Sequence, residues 1–178
     1  ALAARRAVLR QRTALGAAFT ALEVVQLGRP RGGDDAIARA CLAEVELGAL
    51  ADRRYPSLSG GEQQRVQLAR VLAQLAGRTR AALLLDEPGA ALDLRQQQLV
   101  ARIARRSAAL GHAVVIVAHD PGFVARCADR VAVLRAGRVL ADGAPGAVLT
   151  AGVLSRAFDL AVDVERTASG AVVVRDRS

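Results

Sequence analysis

Apolar residues follow two rhythms along this chain, and the change between them divides it. From Phe19 to Gly77 they recur at helical spacing. FTALEVVQLGR reads as a short helix with Thr20 as its N-cap. Ile37, Cys41, Leu42 and Val45 repeat up to Gly48 on a second helix, which Asp34 or Asp35 can cap. After the irregular stretch DRRYPSLSGG, a third helix turns Val66, Leu68, Ala69, Leu72 and Leu75 towards a core and closes at Gly77. Beyond that point AALLLDEP and AVVIVAHD are short unbroken apolar runs, which predicts strands buried on both faces. LRQQQLVARIARRSAALG, a helix ending at Gly111, separates them, and PGFVARCA opens another helix at Pro121. Such alternation predicts a parallel sheet flanked by helices. RVAVLRAGRVLADG predicts two strands joined at Ala136–Gly137. A helix and a small β appendage, LAVDVERTASGAVVVRD, end the chain, and AVLRQ, finishing at Gln11, is a short strand near its start.

Composition narrows the class. A chain of 178 residues that is 52% hydrophobic can build one globular core with room for a small second lobe. Aromatics make up only 2%, so Leu, Val, Ile and Ala must fill that core. The net charge is +8 and every basic residue is Arg. A basic balance suits nucleic acid or anionic lipid. These arginines are scattered, however, and no run forms a nucleic-acid-binding tail; Arg and Ala in excess with no Lys fit a GC-rich genome. Cys41 and Cys127 stand far apart with no C-x-x-C, as small buried residues of a reducing compartment do. The apolar runs fall well short of the roughly 18 to 20 residues of a membrane span.

Three short stretches carry candidate chemistry. Ser59 to Glu62 is S-x-x-E, a capping box. Alone it describes a well-started helix, but a capping box does not require Gly60 and Gly61. Glycine in a helix costs roughly 1 kcal/mol against Ala. What it offers is bare amides at a positively polarised helix end, which suits a phosphate. Asp86 and Glu87 end an apolar strand, where ligands of open parallel sheets bind. Adjacent carboxylates there can divide the work, one on a hydrated Mg²⁺ and the other orienting and deprotonating a water. Acidic residues also end strands for no such reason. His119 follows the next apolar strand, where a histidine is also commonly a hydrogen-bonded structural residue.

Taken together and in this order, these stretches resemble the ATP-binding cassette ATPases over nearly the whole chain. LSGGEQQ, Leu58 to Gln64, matches the signature motif, and ALLLDEP, Ala82 to Pro88, matches Walker B with its glutamate. AALD, Ala90 to Asp93, falls where the D-loop belongs, His119 at the switch histidine, and Gln11 at the Q-loop glutamine. The resemblance implies a P-loop NTPase α/β fold in part: a helical signature subdomain and a parallel-sheet core with flanking helices. It implies that Asp86 coordinates Mg²⁺ through water and that Glu87 polarises the attacking water. His119 would hold the γ-phosphate, and Gln11 would sense the metal and couple to a membrane partner. Ser59, Gly60, Gly61 and Glu62, with Asp93, would meet ATP held mainly by a second subunit. On the same basis, residues 1–18 are the end of an N-terminal core lobe, 19–77 the helical subdomain, 78–150 the core, and 151–178 the terminal helix and β appendage.

The pattern departs from the family in places. Gly89 and Ala90 replace the Thr and Ser frequent before ALD, which removes two hydroxyls from a dimer-facing loop, and Arg10 stands where Pro is common. A P-loop reads G-x-x-x-x-G-K-[ST], and this sequence has no Lys. The sequence starts at Ala1, with ten residues before Gln11. The expectation is a C-terminal portion of a longer protein whose Walker A and adenine-stacking aromatic lie upstream, inactive as an isolated fragment. RYPSLSGGEQQRVQLARVLAQL and RVLADGAPGAVLTAGVLSRAF look most like the haemin-import ATPases, which group with those of siderophore and cobalamin importers. That likeness implies a homodimer at the cytoplasmic face of the inner membrane. It would engage a permease subunit through FTALEVVQLGR and, indirectly, a periplasmic or surface binding protein, with no nucleic-acid partner. A cassette ATPase acting on DNA or ribosomes, and a non-catalytic remnant used only for interaction, are the alternatives.

Overall fold

A computed structural model describes residues 5–10, 19–29, 34–89, 92–167 and 171–177. Contacts divide the chain into two compact units, Ala1–Val117 and Ala118–Ser178. No helix among the described residues is long and apolar enough to cross a membrane.

In the first unit, β1 (Arg6–Leu9), β2 (Ala82–Asp86) and β3 (Ala113–Val117) form a parallel sheet in the order β1-β2-β3, with Ala7 opposite Leu83 and Leu85 opposite Ile116. Three helices, α1 (Ala21–Gln26), α2 (Asp35–Glu44) and α3 (Gly60–Leu75), pack on one another, and α3 also packs on β1. Their shared core includes Val24, Val25, Leu42, Val66, Ala69 and Val71, all fully buried. Thr20 and Asp34 are the N-caps of α1 and α2. Gly28, just past α1, has a specific reason to be glycine: a Cβ there would stand 2.3 Å from the Arg70 carbonyl oxygen of α3. Arg29 then donates to the Ala76 carbonyl at 2.9 Å, closing the far end of α3. The fourth helix, α4 (Leu94–Ala109), buries Leu99, Val100, Ile103 and Ala104 and packs on β3. Its outer face meets the end of α2 through Arg95–Glu46, Arg102–Glu46 and Arg106–Glu44 ion pairs at 3.0, 3.5 and 3.4 Å.

β3 differs from the expectation of a strand buried on both faces. It is an edge strand among the described residues, and Val115 and Val117 are 54% and 52% exposed. Its apolar character was read correctly, but the number of neighbours a strand receives depends on sheet order, which its own residues do not encode.

The second unit holds α5 (Pro121–Cys127), the hairpin β4 (Val131–Arg135) and β5 (Arg138–Gly143), α6 (Pro145–Val148), α7 (Ala151–Phe158), and the hairpin β6 (Val162–Arg166) and β7 (Val172–Asp176). Ala136 and Gly137 have φ of 48° and 73°, the pair of left-handed residues that a tight two-residue hairpin turn needs. Val131, Val148, Leu149, Leu154, Val162 and Val172 form the core of this unit. Arg166 secures α6 by donating to the carbonyls of Pro145, Gly146 and Leu149.

Both cysteines are free and buried. Burial pushes the Cys41 thiol up to about 11, with the nearby Glu44 adding to the effect. The thiolate is the reactive form, so at pH 8 about one Cys41 in a thousand is ionised, against about one in four for a free thiol. In a Cys127→Ala variant, alkylation of the native protein at pH 8 is expected to run about two orders of magnitude slower than in denaturant. Equal rates would show that Cys41 is not buried as described.

Candidate functional site

The loop before α3 is fixed by residues of the helix it introduces. Tyr55 N–H donates to the Phe19 carbonyl at 2.8 Å, and its hydroxyl accepts from Gln67 Nε2 at 3.0 Å. Gln63 Nε2 donates to the carbonyls of Tyr55 and Leu58, and Arg65 Nη1 to that of Val45 at 3.2 Å. Gln63 and Gln67 therefore hold the approach to the N-terminus of α3 and Arg65 the end of α2, while Val66, Leu68 and Ala69 are buried beside them.

Four amides at a helix start lack partners within the helix. Here the Ser59 N–H donates to Glu62 Oε2 at 2.7 Å, and the Glu62 N–H to Ser59 Oγ at 3.3 Å. This reciprocal box satisfies the outer two and leaves the amides of Gly60 and Gly61 without an acceptor among the described residues. Ser59 and Gly60 are exposed, and a Cβ on Gly60 would meet nothing within 4 Å among the described residues. Neither packing nor a positive φ in this chain requires glycine at position 60. The Ser59 amide, and then its hydroxyl, hold the Glu62 carboxyl below the usual carboxylate range, so it is ionised at neutral pH. The box therefore stays closed, and the two glycine amides remain the groups open to an acceptor from outside.

Asp86 is the exposed last residue of β2. Glu87 follows with φ of 48°, left-handed for a residue with a full side chain. Such a conformation costs about 1 to 3 kcal/mol and persists where surroundings enforce it. Two hydrogen bonds to its main chain do so: Glu87 N–H donates to the Val117 carbonyl at 2.9 Å, and the Glu87 carbonyl accepts from the Gln64 side chain, Nε2, at 3.1 Å. Two residues on, the Gly89 carbonyl accepts from Gln97 Nε2 at 3.5 Å. The end of β2 is thus tied to β3, to α3 and to α4.

The structure joins the glycine-marked helix start to Asp86 and Glu87 through one turn of α3. Asp93 is the exposed N-cap of α4, accepting from the Gln96 N–H at 2.8 Å. His119 is exposed and belongs to the second unit. Gln11 and Ala90 lie outside the described residues. Sequence reasoning missed Gln64, which it took only as part of a motif. It also passed over His112, whose Nδ1 accepts from the Ala81 N–H at 3.2 Å in a buried position between α4 and β3. No three His, Cys, Asp or Glu residues gather as a metal-binding group among the described residues.

The family described as "ABC transporter" matches residues 1–90. The chain is 50% identical over 181 residues to the Hemin import ATP-binding protein HmuV of Nocardia farcinica, covering 97% of this chain and 62% of the relative. It is 49% identical over 170 residues to the protein of the same name from Streptomyces coelicolor, covering 92% and 59%. The chain thus spans less than two thirds of these relatives. Among solved structures, an inward-facing metal-chelate type ABC transporter superposes with a TM-score of 0.79 at 25% identity, covering 97% of this chain and 73% of the other. The ATP-binding cassette MJ0796, a dimer in a post-hydrolysis state bound to ADP and Pi, gives 0.68 at 28% identity, covering 79% and 63%.

Proposed function

The chain belongs to the ABC transporter family, and from that premise we propose that the whole protein is the ATP-binding and ATP-hydrolysing subunit of an importer. The observation that carries this reading is the division of labour at the start of α3: the capping box closes on itself and leaves the amides of Gly60 and Gly61 for a foreign phosphate. Among the described residues nothing outside its own helix start comes within 4 Å of a Cβ placed on Gly60, which is the arrangement expected if the phosphate arrives on a nucleotide held by a second copy. Two such copies, related head to tail across the interface, would each supply a helix start to the other's ATP.

In this account Glu87 is the general base. The left-handed turn lifts its side chain out of the strand's alternation, and its main-chain bonds to Val117 and Gln64 fix the turn. It would accept the proton of the attacking water while His119 steadies the γ-phosphate. Asp86 is an exposed hard-oxygen donor at the strand end, and a lone carboxylate suits an ion that keeps most of its water and takes its other ligands from phosphate. Bound there, Mg²⁺ would neutralise charge on the phosphates. Gln11 and Asp93 complete the set, Gln11 towards metal and permease and Asp93 at the dimer-facing loop. Residues 19–77 are the helical layer, 78–150 the catalytic core, and the Phe19–Arg29 segment the face that meets a permease at the cytoplasmic side of the membrane.

For the cargo we propose haemin, supported by the names of the relatives at 50% and 49% identity. The cargo is tested in cells. A strain lacking the gene should fail to grow on haemin as its iron source and recover with the gene restored. Loss of ferric-siderophore or cobalamin uptake with haemin use intact would overturn the cargo and leave the ATPase reading standing.

A further inference from the structure

Gln64 lies one helical turn inside α3, and its amide is the group that reaches the Glu87 carbonyl, at 3.1 Å. On the other side of the same residue, the Glu87 N–H is held by the last residue of β3. The two bonds differ in kind. The bond to Val117 continues the sheet ladder and is made by main chain alone. The bond to Gln64 depends on one side chain and connects Glu87 to α3. It meets Glu87 where the backbone leaves the strand and turns left-handed, so it acts on the peptide whose orientation decides where the glutamate side chain points. The side-chain hydrogen bonds of Gln63, Arg65 and Gln67 run to the segments around Tyr55 and Val45. Gln64 alone among these residues runs to the end of β2.

We propose that Gln64 is a positioning residue that sets Glu87 for catalysis and couples the two nucleotide sites. This inference rests on the function proposed above. In that arrangement, α3 begins at a seat for the phosphate of one nucleotide, while Glu87 acts on the other. Seating the first phosphate on Gly60 and Gly61 fixes α3 along its axis, and Gln64 passes that constraint to the Glu87 carbonyl. A helix whose seat is empty leaves the Glu87 turn with less support, so hydrolysis at one site waits for occupation of the other.

The test uses the whole protein with ATP. Gln64→Met keeps the length and helix preference of the side chain, adds no charge, and removes the donor. Gln64→Lys restores a donor on a stem of similar reach. Gln64→Met is expected to lower kcat by about 10- to 100-fold, the effect of a misplaced catalytic group. KM for ATP should stay within about threefold, the Hill coefficient for ATP should fall towards one, and the melting midpoint should be unchanged. Gln64→Lys should recover most of kcat. Near-parental kcat in Gln64→Met overturns the proposal, as does a Gln64→Lys protein no better than Gln64→Met. If the Met variant melts early, the comparison is made with Gln64→Leu and Gln64→Lys at a temperature where both are folded. Glu87→Gln is run in parallel. Normal turnover in that variant would overturn the function proposed above, whereas an inactive Glu87→Gln beside a fully active Gln64→Met would overturn this inference alone.

Discussion

Replacing Glu87 with Gln in the whole protein is expected to lower ATP turnover by about two to four orders of magnitude, the usual worth of a positioned general base. ATP binding should persist. The amide is nearly isosteric with the carboxylate but cannot take the proton of the attacking water. The turn that presents it should survive, because the Glu87 hydrogen bonds to Val117 and Gln64 are made by its main chain and are kept in the variant. Glutamine is no worse than glutamate in a left-handed turn, so a melting curve should barely move. Phosphate release at saturating ATP, with nucleotide affinity measured separately, gives both numbers. Near-normal turnover would remove Glu87 from the chemistry and leave its strained backbone without a function.

Replacing Ser59 with Arg should abolish the ATP-bound dimer. The bulk of Arg at the N-cap would cover the two glycine amides that the capping box leaves open, and it would also break the box. Losing an N-cap costs about 1 kcal/mol, too little to unfold a helix that buries Val66, Leu68, Ala69, Val71 and Leu72. Ser59→Asp separates the two effects. Aspartate caps a helix as well as serine does, but its charge opposes an incoming phosphate. Both variants should therefore lose the dimer, and the Asp variant should keep its melting midpoint. A dimer undiminished in both would reduce the glycine-marked start to an ordinary cap.

What the sequence disclosed was mostly local. The capping box at Ser59 and Glu62, the cap at Thr20, and the turn at Ala136–Gly137 depend on neighbours within four residues, and each is formed as read, while of the two candidate caps Asp34 and Asp35 the structure uses Asp34. The parallel sheet was legible because strand–helix alternation leaves few other arrangements. The exposed face of β3 was not, because AVVIV has the same composition at a sheet edge as at its centre. Nor was the left-handed backbone of Glu87, which no rule would assign to a glutamate. That conformation is imposed by Val117 and Gln64, thirty and twenty-three positions away. Gln64 was hidden for a related reason: as one of several polar residues after the glycines it looks like solvent-facing helix, and only the approach of the first turn of α3 to the residue that follows β2 gives it a partner.

In the dimer proposed above, the amides of Gly60 and Gly61 receive a phosphate from a nucleotide bound by a second copy. The most direct measurement is the solution mass of the whole Glu87→Gln protein, by light scattering after gel filtration, with and without ATP and Mg²⁺. A monomer without nucleotide and a stable species of twice that mass with it is the expected result. A protein that binds ATP stoichiometrically and keeps the monomer mass would contradict it.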